Sequence, residues 1–100
     1  MTEEAQKGGS QTMAKLKMPS MYNVVMHNDD ETTMDFVVKI LVDVFHKTKE
    51  EASFLMIQVH FNGKAVVGTY YRDIAKSKVI MATRLARKNR FPLRFTVEEA

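Results

Sequence analysis

A short polar segment stands between two strongly apolar runs in this 100-residue chain. The segment, NDDETT, is residues 28–33, and His27 directly precedes it. Its amide, carboxylate and hydroxyl oxygens accept hydrogen bonds, so three roles suit it: a turn that caps a helix, half of a metal or catalytic site, or a cup for a cationic ligand. For Asn, Asp and Thr the structural role in turns and caps is the commonest.

His60 is the second candidate, because helical geometry would bring it to the same place. Met56, Val59 and His60 fall on one stripe of a predicted helix, and the polar segment stands at the start of the helix before it. Two consecutive helices with a short connection pack antiparallel, so the start of the first lies beside the end of the second. We therefore expect an apolar well, with Met34 and Val37 on its other side, beneath a mouth lined by acceptors.

A metal site, a catalytic site and a cation-binding cup need different residues. His27, His60 and two carboxylates are suitable metal ligands, but their spacing matches no compact motif such as H-E-x-x-H. No serine or threonine stands in a nucleophile turn. Carboxylates, an amide oxygen and a neutral imidazole all accept hydrogen bonds from an ammonium group. The favoured ligand is therefore a free N-terminal amino acid with a large side chain, and we expect no metal, cofactor or catalytic residue.

Composition narrows the class of protein. The chain has no cysteine, which excludes disulfides and thiolate metal sites. No run approaches the ~18 to 20 apolar residues of a membrane span, and the first twenty residues lack the apolar stretch of a signal peptide. A hydrophobic content of 45% suffices for a core. We therefore expect one monomeric, cytoplasmic domain that does not bind a membrane.

A basic segment raises an alternative function. The formal net charge is +3, yet residues 72–94 hold eight Lys and Arg residues against Asp73 alone. This pattern is typical of the solvated face of a helix, and also of a nucleic-acid or ribosome-binding surface. No aromatic residue is interleaved with the basic residues inside the predicted helix, and no glycine-rich phosphate loop is present. The favoured interpretation is therefore a solvated helix face without a nucleic-acid partner. A nucleic-acid or ribosome-associated binding module is kept as the alternative function.

The apolar pattern predicts the elements that must position these residues. Residues 1–21 are polar and include Gly, Ser and Pro, which predicts a flexible extension before a domain over 22–100. The predicted elements, in order, are a strand from Tyr22, helices over 33–46 and 49–61, a strand over 64–71, a helix over 74–88 and a strand over 91–99. This order indicates an α/β two-layer domain with a three-stranded antiparallel sheet and three helices.

Two Thr-x-x-acid signatures predict where the first two helices begin. In such a capping box the hydroxyl accepts from a free backbone N–H, and the carboxylate accepts from the N–H of the cap residue. The two pairs are Thr32 with Asp35 and Thr48 with Glu51. Gly63 predicts the end of the second helix, because glycine adopts the left-handed conformation without steric cost.

Several short motifs follow one another in a fixed order along residues 20–98. They are NDD and T-x-M-x-F-V in NDDETTMDFVV, M-x-x-V-H in LMIQVHFNGKAVVG, RD-x-A-x-x-K-V and A-R-x-N in the third helix, and PL near the end. Together they resemble the ClpS family, the adaptors of bacterial and organellar Clp proteases that recognise proteins by their N-terminal residue under the N-end rule. The fold that the resemblance implies is the two-layer α/β domain with a flexible N-terminal tail.

The resemblance implies a non-enzymatic adaptor, cytoplasmic or, for a homologue, in an organellar stroma. It would bind a free N-terminal Leu, Phe, Tyr or Trp and deliver that protein to a Clp AAA+ unfoldase. The residues implied for the α-ammonium group are Asn28, Asp30 and His60, with Asp29 acting through water. The residues implied for the wall of the well are Thr32, Met34, Val37, Met56, Val59 and Leu93. Met34 resembles a gate that disfavours side chains branched at Cβ.

The same resemblance implies a docking surface for the unfoldase. Asp73 and Lys78 match positions that dock on the N-terminal domain of a ClpA- or ClpC-type ATPase, and the tail resembles the family's delivery segment. The sequence also departs from the family pattern. Thr33 replaces the usual proline, and Arg94 replaces a smaller neutral residue. His27 stands where an aliphatic residue is usual, which predicts a more polar and pH-sensitive mouth.

Overall fold

β1 (Met21–His27) is the central strand of a three-stranded sheet in the computed structural model, which describes residues 20–100. β2 (Lys64–Tyr71) and β3 (Arg94–Glu99) pair with it on either side, both antiparallel. The helices are α1 (Met34–Asp43), α2 (Lys49–Asn62) and α3 (Arg72–Lys88). The order β-α-α-β-α-β confirms the predicted two-layer α/β fold.

One hydrophobic core joins the sheet to the helices. Val24 and Met26 enter it from β1, and Ile40 and Leu41 enter it from α1, all four fully buried. α3 contributes buried alanines at helical spacing: Ala75, Ala82 and Ala86. Because these side chains are small, α3 can lie close to the sheet. None of the helices within residues 20–100 combines the length and the apolar character needed to span a membrane.

The capping box predicted for α1 is wrong by one residue. The N-cap is Thr33, whose Oγ1 accepts a hydrogen bond from the Phe36 N–H at 3.2 Å. The Thr32 side chain instead belongs to the preceding turn, where its hydroxyl donates to the Asp29 carboxylate at 2.8 Å. Thr33, rather than Thr32, is therefore the residue that caps the helix.

The capping box predicted for α2 is confirmed. The Glu51 N–H donates to Thr48 Oγ1 at 3.1 Å, and the Thr48 N–H donates to the Glu51 carboxylate at 2.9 Å. The bond from the Thr48 backbone is the main cause that lowers the pKa of Glu51. At the other end, Gly63 has a φ of 87° and terminates the helix, as predicted.

Other predicted boundaries differ by one to three residues. α1 ends at Asp43 rather than at 46, because His46 adopts a left-handed φ of 57° and the Lys47 N–H folds back to the Leu41 carbonyl at 3.1 Å. α3 begins at Arg72 rather than at 74, directly after the last residue of β2. β3 begins at 94 rather than at 91.

The predicted extension, residues 1–21, lies almost entirely outside the described residues. Ser20 and Met21 are described, and Met21 already pairs with Tyr71 as the first residue of β1. The sheet therefore begins one residue before the predicted boundary. The predicted flexibility of residues 1–19 stays a prediction.

Candidate functional site

The polar segment after β1 is joined to the end of α2 by the backbone. The Asn28 N–H donates to the Gly63 carbonyl at 2.8 Å. Because Gly63 follows the last residue of α2, this bond brings the segment beside His60, which lies in the last turn of that helix. The predicted antiparallel arrangement of α1 and α2 therefore places the two groups of polar residues together.

Asp29 organises the polar segment into a turn. One carboxylate oxygen accepts from the Glu31 N–H at 2.8 Å and from the Thr32 N–H at 2.7 Å, and the other accepts from the Thr32 hydroxyl. Burial alone would raise the pKa of Asp29, but these hydrogen bonds and the charge of Arg87 outweigh burial and lower it below 3.8. Both oxygens of Asp29 are thus occupied within the turn.

A cavity of about 210 Å³ opens between this turn, α1 and α2. The residues that line it are His27, Asn28, Asp29, Asp30, Thr32, Met34, Val37, Met56, Val59, His60 and Leu93. All ten residues that the sequence suggested for the ammonium group and the well line this one cavity. His27, which the sequence suggested as a metal-ligand candidate and as part of a pH-sensitive mouth, lines it as well.

The cavity has a polar mouth and an apolar well. Asn28, Asp30 and His60 are exposed at the mouth, and none of the hydrogen bonds within residues 20–100 uses the Asp30 carboxylate. The well is lined by Val59 and Leu93, which are 4% and 1% exposed. Such an arrangement offers acceptors for a cationic group beside a dry surface for an apolar one.

Met34 stands apart from the other apolar residues of the well. It is the first residue of α1 and is 54% exposed, whereas its neighbour Val37 is buried. Met34 therefore lies at the rim, where a group that enters the well must pass it.

Arg87 on α3 holds the wall residue Leu93 in place. One guanidinium nitrogen donates to the Phe91 carbonyl at 2.9 Å and to the Leu93 carbonyl at 2.8 Å. The Phe91 ring also packs on the Phe36 ring, with their centroids 4.8 Å apart. These contacts fold residues 91–93 against the helices instead of the sheet, which is why β3 begins only at Arg94.

The backbone turn at the end of α3 directs the chain into the loop of residues 91–93. Arg90 adopts a left-handed φ of 65°, and the Phe91 N–H donates to the Ala86 carbonyl at 2.9 Å. The Arg90 N–H donates to the Arg87 carbonyl at 2.9 Å, which completes a Schellman motif with arginine in the position that glycine usually takes. From the sequence, Arg87 was one of the eight basic residues of 72–94 and part of the A-R-x-N motif, with no predicted role in the site. The short separation of six residues between Arg87 and Leu93 was the one sequence feature that could have suggested a contact between them.

His27 is tied to the neighbouring strand. Its Nε2 lies 2.8 Å from Thr96 Oγ1 on β3. Burial lowers the pKa of His27 below its ordinary 6.5, and the charges of Arg94 and Lys64, which flank it across the sheet, lower it further, against the opposing charge of Glu98. The neutral imidazole is therefore favoured beside the mouth.

The two residues suggested for docking lie on α3, away from the cavity. Asp73 is exposed in the first turn of α3. Lys78 is half-buried, lies 5.8 Å from the centroid of the Tyr70 ring, and donates to the Val44 carbonyl at 2.7 Å. Because Val44 is the C-cap of α1 and the last turn of α1 has no basic residue, Lys78 places a cation where the helix dipole favours one. Lys78 thus has a structural task within the domain.

The arrangement offers no sign of metal chemistry in the part of the chain that the structure describes. Within residues 20–100, no three His, Asp or Glu side chains converge as metal ligands.

Two of the eight basic residues of 72–94, Arg87 and Lys78, donate to backbone carbonyls of the domain itself. The basic segment is therefore partly committed to internal packing.

Comparison with known proteins supports one family. The family model described as ATP-dependent Clp protease adaptor protein ClpS matches residues 17–96. The ATP-dependent Clp protease adapter protein ClpS of Acetivibrio thermocellus is 49% identical over 88 residues, which cover 88% of this chain and 89% of that protein. The protein of the same name from Desulforapulum autotrophicum is 47% identical over 94 residues, or 94% of this chain and 90% of the relative.

A solved structure agrees with these relatives. Agrobacterium tumefaciens ClpS2 bound to L-phenylalaninamide matches with a TM-score of 0.80 and 39% sequence identity, over 82% of this chain and 99% of that one. The similarity therefore covers the sheet, the helices and most of the sequence. The resemblance inferred from the motifs is confirmed: this chain belongs to the ClpS family of ATP-dependent Clp protease adaptor proteins.

Proposed function

We propose that this chain is a non-enzymatic adaptor that binds proteins through a free N-terminal Leu, Phe, Tyr or Trp and delivers them to a Clp AAA+ unfoldase for degradation. The observation that carries the proposal is the single cavity of about 210 Å³, which combines an exposed, acceptor-lined mouth with a buried apolar well. An N-terminal residue has the complementary features, an ammonium group and a side chain on the same carbon atom. Family membership supports the role of an adaptor to a Clp protease.

The ligand of the solved relative supports the same conclusion. L-phenylalaninamide, to which Agrobacterium tumefaciens ClpS2 is bound, has a free amine, a phenyl side chain and a carboxamide in place of the carboxylate. It therefore has the chemistry of the first residue of a polypeptide. A protein 39% identical to this chain binds such a group, and this chain has a cavity suited to the same group.

The ammonium group is assigned to Asn28, Asp30 and His60, which supply an amide oxygen, a carboxylate and an imidazole nitrogen at the mouth. Asp29 acts indirectly, because its two oxygens already hold the turn. It also holds the Thr32 side chain, which lines the cavity. The distinction between Asp30 and Asp29 is thus a distinction between a contacting and a positioning carboxylate.

The side chain of the N-terminal residue is assigned to the well formed by Thr32, Met34, Val37, Met56, Val59 and Leu93. Burial of such a side chain contributes ~1.5 to 3 kcal/mol, and each charge-assisted hydrogen bond contributes ~1.5 to 3 kcal/mol. The entropy lost on association offsets much of this, so we expect a micromolar dissociation constant. Met34 at the rim would collide with a side chain branched at Cβ, so Ile and Val are disfavoured.

Docking on the unfoldase is assigned to α3. Asp73 is exposed and available, while Lys78 combines docking with its bond to Val44. The partner surface is the N-terminal domain of a ClpA- or ClpC-type ATPase, and the adaptor acts as a monomer in the cytoplasm. Residues 1–21 engage the unfoldase after docking. An Asp73→Ala variant should retain peptide binding and lose delivery, which a degradation assay with the purified Clp protease would measure.

The test of peptide recognition is a fluorescence-anisotropy titration of labelled peptides that differ only at the N-terminus. The four peptides begin with Phe, Leu, Ile and N-acetylated Phe. We expect binding of the first two and rejection of the others, because acetylation removes the charge and Ile meets Met34. Asp30→Ala should weaken binding of the Phe peptide about tenfold or more, since it removes a charge-assisted hydrogen bond to the ammonium group.

Glu31→Ala is the matched control, because Glu31 is an exposed acid in the same turn that does not line the cavity. It should leave the affinity nearly unchanged. Undiminished binding of the acetylated peptide would refute the ammonium cup. Equal or absent binding of all four peptides would return NDDETT to the role of a turn before a helix, and attention would move to the basic segment, whose binding to RNA should weaken steeply with salt.

A further inference from the structure

A second groove continues from the cavity along the seam between α1 and α2. Its volume is about 540 Å³. The residues that line it are Met34, Asp35, Val38, Lys39, Val42, Asp43, Lys49, Ser53 and Met56. Met34 and Met56 line both this groove and the cavity described above, so the two spaces meet at these two methionines.

The opposite side of the cavity is closed. Leu93 there is 1% exposed, and its loop is held by Arg87 and by the packing of Phe91 on Phe36. A polypeptide whose first side chain fills the well must leave over the rim. Met34 lies on the rim and is 54% exposed, and the groove begins there.

The groove has an apolar floor and an uneven distribution of charge. Val38 and Val42 are half-buried along α1 and form its floor. The Lys39 ammonium group lies 2.8 Å from the Asp43 carboxylate, so these two charges largely neutralise each other. Two charges remain without an ion-pair partner within residues 20–100: Asp35 beside the mouth, and Lys49 at the start of α2, near the end of α1.

We propose that this groove, here named the α1–α2 groove, binds the residues that follow the N-terminal residue of a substrate. The inference rests on the proposed function, because it assumes that the first side chain occupies the well. Met34 and Val42 are eight residues apart on α1, which corresponds to about 12 Å at 1.5 Å per residue. An extended peptide covers ~3.3 Å per residue, so residues two to five of the substrate span the groove.

The charges of the groove set a preference among substrates. A basic side chain at position two or three of the substrate lies near Asp35, and an acidic side chain at position five lies near Lys49. Exposed ion pairs of this kind change affinity about two- to fivefold. Among proteins with the same N-terminal residue, the α1–α2 groove therefore favours those with a basic residue at position two or three and an acidic residue at position five.

The first experiment is a length series in unlabelled form, measured by competition against a labelled Phe peptide. The competitors are phenylalaninamide and uncharged peptides of two, three, four, five and seven residues that begin with Phe-Leu. We expect affinity to rise up to about five residues and then to level off, because the floor of the groove is then covered. If phenylalaninamide binds as tightly as the heptapeptide, the groove makes no contact and the proposal is wrong.

The second experiment uses two peptides of identical composition and opposite order, Phe-Arg-Leu-Leu-Glu-Ser and Phe-Glu-Leu-Leu-Arg-Ser. The first should bind about two- to fivefold more tightly at low salt, and the difference should shrink as salt rises. Asp35→Asn should reduce the difference. Glu31→Gln is the matched control, because Glu31 is an exposed acid of the preceding turn that lines neither the cavity nor the groove.

These experiments distinguish failure of the groove proposal from failure of the proposed function. If Glu31→Gln removes the preference and Asp35→Asn does not, the substrate leaves over the turn and the groove proposal is overturned. If the Phe peptides bind but both orders bind equally in the wild type, the charge preference is absent and the groove proposal fails while the proposed function stands. If neither phenylalaninamide nor any Phe peptide binds, the proposed function fails and the groove proposal fails with it. Circular dichroism of both variants checks that each is folded.

Discussion

The mouth and the well of the cavity are built in opposite ways. The mouth is made mainly of consecutive residues, and its turn is held by the short-range hydrogen bonds of Asp29 to Glu31 and Thr32. The well is made of side chains from distant parts of the chain, such as Val59 and Leu93, and these are buried. Changes at the exposed contact residues of the mouth, such as Asp30, should therefore alter binding with little effect on folding, whereas changes at the buried residues of the well should alter both.

Among changes that test this difference between mouth and well, Leu93→Ala should cause the largest loss in the free energy of unfolding. Leu93 is 1% exposed, so its truncation leaves a cavity and should reduce the free energy of unfolding by about 2 to 5 kcal/mol. Urea denaturation measures this loss. Met34→Ala is the matched change at the rim, and because Met34 is 54% exposed it should cost about 1 kcal/mol or less. Asp30→Ala should stay within about 0.5 kcal/mol of the wild type. Equal losses for Leu93→Ala and Asp30→Ala would show that the contrast is wrong.

Arg87→Met tests whether one residue links the two regions. The substitution keeps most of the aliphatic stem and removes the two hydrogen bonds to the Phe91 and Leu93 carbonyls. We expect a loss of about 1 to 3 kcal/mol in the free energy of unfolding and a shifted ratio of Phe to Leu peptide affinities, because Leu93 is no longer held. Arg84→Met, an exposed arginine on the same helix, should change neither quantity. An unchanged affinity ratio in folded Arg87→Met would show that Leu93 is positioned without Arg87.

Asp29→Asn tests the turn of the mouth. The amide keeps one acceptor oxygen but loses the charge, so we expect a loss of about 1 to 2 kcal/mol at neutral pH. The pKa of Asp29 is lowered in the folded state, so its stabilisation is present above the unfolded value near 4 and is lost as the pH falls through the folded value. The variant and the wild type should therefore converge in stability in acid. Parallel pH profiles of urea denaturation would contradict the role given to Asp29.

The smallest effect is the pH dependence of stability that His27 contributes at the edge between the mouth and the sheet. A nuclear magnetic resonance titration of its ring should give a midpoint below 6.5, because burial and the flanking charges of Arg94 and Lys64 lower the pKa. The unfolded chain then binds the proton more readily, so stability is slightly reduced as the pH falls from about 6.5 through the folded value. His27→Gln should remove this small dependence. A midpoint above 6.5 would mean that the imidazolium form is favoured at the lip.

The fold was largely predictable from the sequence because its signals are local. The Thr48 capping box, the Gly63 helix end and the alternating strand of 64–71 each depend on neighbouring residues, and these three predictions are confirmed. The start of α1 was missed by one residue, because Thr32 and Thr33 are equivalent as cap residues until the Asp29 carboxylate binds the first of them. The α1 end was missed by three residues, since the left-handed His46 has no sequence signal as strong as a glycine.

The sequence by itself determined the order of the elements, the turn-forming mouth and the stripe of Met56, Val59 and His60, because spacing along a helix and side chain bonds within a turn are set over a few residues. Tertiary structure alone decided three contacts between distant residues. They are the bond of Lys78 to Val44, the bond of His27 to Thr96, and the grip of Arg87 on the loop that carries Leu93. Each depends on where two elements meet in space, and long polar side chains reach whichever carbonyl or hydroxyl the packing of the core places within hydrogen-bond distance.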